Sequence, residues 1–430
     1  MTQKAHIALL RPQREYFLSE DFCPTPPRAK RIVNRLRIRN GKAKVNRINH
    51  ILIIPSKTCL HAILRAMARH GIGLLMGVTV LATQAQGADW TSQTLPQYDR
   101  LFHQTNGWIG ADGDFTVALT NDLTLWLFSD TFIGQVRDGH RLHAAMIHNS
   151  VAWQHGVDPA RARVEFFYGR SSEGKPASLI TPVDGQGWFW LADGMMAQGK
   201  MVLLLPQFER TDNQTVFGFR QIGAWLGEVS NPLAPPDQWQ MTQTKIPFAR
   251  FGAGENRSFG SAMLATNGFL YIYGTREHTN AAKQMILARA PDKDLGKFAA
   301  WQFRVHDGWR TNVEAAIDLC DGMAAEFSVS WLASAQRYVL ICTENGLSEK
   351  IMARTAPEPW GPWSSPTVIY RCPEAKWDKQ IFCYAAKAHP MLSSATHELV
   401  ITYAANSFDL AQVLTDARLY WPRFVRVKLP

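Results

Sequence analysis

Five short apolar stretches recur along the chain at intervals of 61 to 77 residues: Thr124-Leu-Trp-Leu-Phe, Met201-Val-Leu-Leu-Leu, Phe269-Leu-Tyr-Ile-Tyr, Arg337-Tyr-Val-Leu-Ile and Glu398-Leu-Val-Ile-Thr. Each is rich in β-branched and aromatic residues, too short for a helix, and preceded by a polar turn such as Asn121-Asp122 or Thr266-Asn267-Gly268, which is how a buried strand and its hairpin read in sequence. Repetition at a fixed period implies one supersecondary unit used several times. A unit of about four strands repeated radially protects its sheet edges, so an all-β fold, a five-bladed β-propeller, is expected over 88–430 as one domain. Irregular spacing would have favoured a pair of β-sandwiches instead. The last strand, Arg423-Phe-Val-Arg-Val, is expected to close the ring by pairing near residue 90.

Charge separates this domain from what precedes it. The chain carries a formal +10, but residues 1–66 hold 14 Lys/Arg against three acids, whereas 88–430 nets −2. A near-neutral domain offers no electrostatic footprint for a polyanion, so no nucleic-acid partner is expected. The basic leader, 1–66, cannot bury a core and reads as sequence upstream of the true start, with a basic arm as the alternative. Met67 then opens a signal peptide, 67–87: a basic Met-Ala-Arg-His, an apolar run from Gly71 to Ala82, and a small-x-small site at Ala85-Gln86-Gly87. That apolar run is too short for a bilayer span, so no stable membrane anchor is expected. A secreted or periplasmic monomer follows. Four cysteines remain, Cys320, Cys342, Cys372 and Cys383, and in an exported chain Cys372 with Cys383 is the favoured disulfide.

The passage from Gly107 to Gly134 carries the chemistry. Asp112 lies nine residues before Asn121 and Asp130 nine after it, so the two face each other across the hairpin with Cβ atoms ~5 Å apart. Two carboxyls that close split their pKa values, leaving one protonated acid and one carboxylate, the division of labour that glycoside hydrolysis uses. Asp112 is assigned as base and Asp130 as general acid, although the two roles can be exchanged. Two other readings stay open: turn chemistry alone, or a structural calcium held by Asp112, Asp114 and Asp130.

Polar residues at similar offsets before the other repeated strands, Asp193, Ser261, Glu326 and His389, are expected to ring the same pocket and contact substrate with Asp114. Glu277 and Asn406, which follow strands, are further candidates. All 15 tryptophans lie in 88–430, and Trp108, Trp188 and Trp190 are placed as stacking surfaces for sugar rings. No Walker loop, dinucleotide fingerprint, zinc spacing or nucleophile elbow occurs, so no cofactor is expected. The partner expected is a polysaccharide or oligosaccharide, taken by a hydrolase or by a noncatalytic carbohydrate-binding propeller.

At Gly-Ala-Asp112-Gly, Leu-Phe-Ser-Asp130-Thr-Phe, Met-Ile-His148-Asn-Ser, Trp-Leu-Ala-Asp193-Gly, Phe-Gly-Ser261-Ala, Glu-Phe-Ser328-Val, Gly-Pro-Trp363-Ser and Lys-Ala-His389-Pro the chain resembles bacterial propeller domains of formerly unknown function, some of which are endo-D-arabinanases. That resemblance implies catalytic aspartates at Asp112 and Asp130, inversion at the anomeric carbon, and an arabinan or other furanose-containing substrate. The additional acid at Asp114, and Ser129 where Gly commonly precedes the second aspartate, set this chain apart from the arabinanase members.

Overall fold

The computed structural model describes residues 90–429 apart from Gln214, Ala253 and Ser394; the basic leader and the signal peptide lie outside the described residues. Five antiparallel sheets of four or five strands account for most of the fold. In the first, Leu123–Phe128 is flanked by Phe115–Ala118 and Ser150–His155, with Arg163–Phe167 at the edge. Lys200–Arg210, Phe269–His278, Arg337–Thr343 and Glu398–Ser407 occupy the equivalent inner positions of the next four. Each repeated apolar stretch therefore lies in a strand paired on both sides, and it is apolar on both faces because neighbouring sheets cover both faces of its own.

The sheets succeed one another in a closed cycle of packing. One buried cluster joins the first, second and third through Leu127, Leu203 and Ile286. Another joins the third and fourth through Tyr273 and Leu340, and another the fourth and fifth through Ile341 and Ile401. A fourth returns from the fifth to the first, with Phe424 against Trp126 and Phe102. Burying flat sheet faces on their neighbours removes most of the apolar surface from water at roughly 25 cal/mol per Å². The expected closure is present: Thr91–Thr94 pairs antiparallel with Arg423–Lys428, Thr91 opposite Lys428. The short helix Pro96–Phe102 begins with a proline, whose missing N–H is no loss there, and seats Phe102 beneath the closure.

One departure from the simple repeat bears on the site. The Gly107–Gly134 hairpin is shared between two sheets. Phe115–Ala118 with Leu123–Phe128 belongs to the first sheet, while Asn106–Ala111 and Thr131–Arg137 leave it to form a separate three-stranded sheet with His140–Ile147. The aspartates sit where the strands part. The expected Cys372–Cys383 bridge is absent. All four described cysteines are free thiols, buried or half-buried, with Cys372 and Cys383 in one apolar cluster.

Candidate active site

The register Phe115 opposite Leu127 on one side and Ala111 opposite Thr131 on the other brackets Asp112 and Asp130 as a facing pair. The Asp112 amide donates to the Asp130 carbonyl at 3.2 Å, and the Ser129 amide donates to the Asp112 carbonyl at 2.9 Å. Gly113, at φ +90°, is required here, because a Cβ would lie 2.8 Å from the Ser129 nitrogen.

The two carboxyls have opposite surroundings. Asp112 Oδ2 accepts from Tyr384 Oη at 2.5 Å and from Tyr420 Oη at 3.0 Å, while Oδ1 has no partner. Burial holds this carboxyl well above the usual carboxylate range, reinforced by the charges of Asp130 and Glu326; the two tyrosine bonds oppose the shift without cancelling it. Asp130 Oδ1, by contrast, accepts from Trp190 Nε1 at 2.7 Å and is paired with His148 Nδ1 at 2.8 Å. His148 in turn stacks on Trp188, ring centroids 4.1 Å apart.

Asp112, Asp130, Trp190, Ser261, Glu326 and Asn406 line one pocket of about 1070 Å³, as does Glu277. Asn406 reaches the acid pair indirectly, donating to Tyr384 Oη at 3.3 Å. Trp188 touches the site through His148.

Other expected site residues lie elsewhere. Trp108 is a core residue, packed on Phe166 and bonded to Ser150. His389 is buried with Nδ1 on Thr116 at 2.8 Å and Nε2 on Thr402 at 2.7 Å, a joint between the fifth and first sheets with no free nitrogen for a ligand. Burial holds its pKa well below the ordinary value. Asp193 accepts from the Gly194 and Met263 amides, at 2.9 and 2.7 Å, and so ties the second sheet to the third. Its carboxyl is raised by burial to about 7. Asp114 is completely buried, both oxygens lack partners, and burial raises it to about 7 against the opposing charge of Lys387. Among the described residues no three His, Cys, Asp or Glu side chains are grouped to hold a metal ion.

Sequence reasoning assigned no site role to four residues: His148, paired with Asp130, and three that gather around Asp112 and Asp114. Tyr384 and Tyr420 hold Asp112, and Lys387, itself buried, donates to the carbonyls of Gly113 and Ala385 and lies 3.8 Å from Glu326. Its charge also lowers the pKa of Asp114 and Asp193. Asp114, Ala385 and Tyr420 all adopt positive φ, at 54°, 59° and 65°. Aspartate tolerates that region, whereas alanine and tyrosine are held there at a cost.

An all-β ring with two unlike carboxyls facing one pocket is the class of protein that these observations define. The chain belongs to the family described as Domain of unknown function (DUF5005), whose model matches residues 96–429. Among solved structures it is similar to a "putative hydrolase" from Bacteroides ovatus, at 20% identity and a TM-score of 0.64, over 80% of this chain and 92% of that one. A family 117 glycoside hydrolase from Zobellia galactanivorans (13% identity, TM-score 0.46, 79% and 90% covered) and the catalytic domain of a GH62 α-L-arabinofuranosidase from Coprinopsis cinerea (11%, 0.44, 80% and 97%) superpose more loosely, too loosely to bear on function. No curated protein matches the chain.

Proposed function

We propose that the five sheets are the blades of a five-bladed propeller, exported to the periplasm or beyond, that hydrolyses an extracellular glycan. The observation that carries this reading is the contrast between Asp112, kept protonated by burial and neighbouring charge, and Asp130, which accepts two ring nitrogens. This exchanges the roles first assigned from sequence. Asp112 is the general acid: its proton passes to the glycosidic oxygen as the bond from that oxygen to the anomeric carbon breaks. Asp130 is the base: it takes a proton from water as the water oxygen bonds to the anomeric carbon, with inversion. Tyr384 and Tyr420 orient the acid, and Trp190 and His148 orient the base. An arabinan or another furanose-containing polysaccharide is the substrate class, and no organic cofactor takes part.

The test is reducing-end release from a panel including D-arabinan, L-arabinan and xylan, with Asp112→Asn and Asp130→Asn alongside. Release that either substitution reduces by about 10²-fold or more supports the reading. Binding without release across the panel would replace it with a noncatalytic carbohydrate-binding propeller.

A further inference from the structure

Lys200–Arg210 and Phe219–Val229 pair along their whole length, but their flanking strands cover only part of it. Trp188 and Phe189 still pair with Phe208 and Gln207, but beyond them Glu209 and Arg210 opposite Arg220 and Phe219 form a two-stranded tip past the register shift at Gln207/Phe208. Phe217, just before the returning strand, touches Phe219 of its own sheet at 6.2 Å and also reaches across to another sheet. Its ring meets Phe382 at 6.1 Å and Phe408 at 6.0 Å, both on the fifth sheet. In the cycle of sheets the second and fifth are separated by the first, which carries the acid pair.

The contacts make a continuous line of rings. Trp190 lies 4.6 Å from Phe219, Phe219 6.2 Å from Phe217, Phe217 6.1 Å from Phe382, and Phe382 5.4 Å from Tyr384. Its two ends are the side chains that donate to Asp130 and Asp112. All five residues line the pocket. The wall facing them from the third sheet is polar instead, with Asn256, Ser258 and a Glu277–Lys283 ion pair of 2.6 Å.

We propose that this aromatic arch, with Phe217 as its keystone, closes the pocket on the side of the first sheet, so that a glycan chain enters from the third and fourth sheets and only its terminal unit reaches the acid pair. The protein is then an exo-acting enzyme. Cutting inside a chain requires a groove open on both sides of the reacting bond, whereas the arch ends the groove at the acids. Its rings offer flat apolar faces to the terminal sugar, and the polar wall hydrogen-bonds the hydroxyls of the units behind it. This inference rests on the hydrolase reading for its catalytic terms, but chain-end recognition can be measured without turnover.

The experiment compares the full chain with Phe217→Ala and Phe382→Ala on the glycan that the panel identifies, following viscosity against reducing ends released. The wild type should release a product of one size with little loss of viscosity. Both variants should lower viscosity several-fold more per bond cut and give mixed oligosaccharides. Mixed products from the wild type at the earliest times, or variants with an unchanged product pattern and an intact circular dichroism melt, would overturn the proposal. If nothing is cleaved, the hydrolase reading fails while the arch is still tested by binding of defined arabino- and xylo-oligosaccharides. Affinity per mole of chain that is flat with length supports recognition of the end; affinity rising in proportion to length overturns it. Absence of binding at every length would overturn both readings.

Discussion

Tyr384 donates to Asp112 at 2.5 Å from the strand Ile381–Ala388, although the two residues are 272 positions apart. The same carboxyl oxygen receives Tyr420, whose backbone is held by Arg141. That buried guanidinium donates to the carbonyls of Ile109, Val413 and Leu419 and lies over the Phe132 and Trp421 rings. Asp112 is thus positioned by residues from the opposite end of the chain, brought alongside by closure of the cycle.

Tyr384→Phe removes a bond that favours the ionised form of Asp112, so this carboxyl should hold its proton to higher pH. In a profile of kcat/KM against pH, the alkaline limb should move upward while the plateau falls modestly. A limb that stays in place would show that Asp112 is not the group it reports.

Trp190→Phe keeps an aromatic ring in the wall and deletes the N–H that Asp130 accepts at 2.7 Å, together with one ring of the indole. A charge-assisted bond of this kind contributes about 1.5–3 kcal/mol. We expect kcat to fall roughly 10- to 100-fold with KM little changed, because the loss falls on the orientation of the base rather than on binding. Steady-state kinetics on a defined oligosaccharide separate the two.

Asp114 makes a prediction about stability. Its native pKa of about 7 is above the unfolded value of roughly 3.9. Between those values the unfolded chain ionises this group while the native protein keeps it protonated, so its contribution to stability falls as pH rises and is lowest above about 7. Asp114→Asn removes that penalty, and asparagine tolerates the φ of 54°. Its melting temperature should exceed the wild type's at pH 8 and match it near pH 4.

Lys387→Met should act in the opposite direction. The ammonium is the cation among Asp114, Asp193 and Glu326, and its removal leaves those carboxyls without a compensating charge. Breaking a buried pair by removing one partner costs about 3–5 kcal/mol. The loss should be largest at pH 8, where Asp114 and Asp193, both raised to about 7, must ionise, and shrink toward pH 5, where the native state keeps those two neutral. Denaturant melts at the two pH values check both the size and the sign.

The inner strands were legible because their neighbours on both sides make them apolar throughout. Leu125, Leu203, Ile272, Leu340 and Ile401 are all completely buried. The facing of Asp112 and Asp130 was legible too, since the hairpin keeps one register on either side of them. Residues brought in from distant strands were not. Nothing local marks Tyr384, Tyr420 or Lys387, and their positive-φ or buried settings are consequences of closure. Trp108 and His389 misled for the converse reason: residue types that suit a binding surface also satisfy a core when Ser150, Thr116 and Thr402 answer their polar atoms. A shared offset before a strand fixes height along a sheet, and the neighbouring sheets decide what the side chain meets there.

The pairing of Thr91–Thr94 with Arg423–Lys428 fastens the beginning of the domain to its end. Because Asp112 is encoded early and Tyr384 and Tyr420 late, a ribosome has almost finished its message before the acid can acquire its holders. Until that pairing forms the two tyrosines have no carboxyl to hold, so the site is assembled in the same event that closes the cycle of sheets.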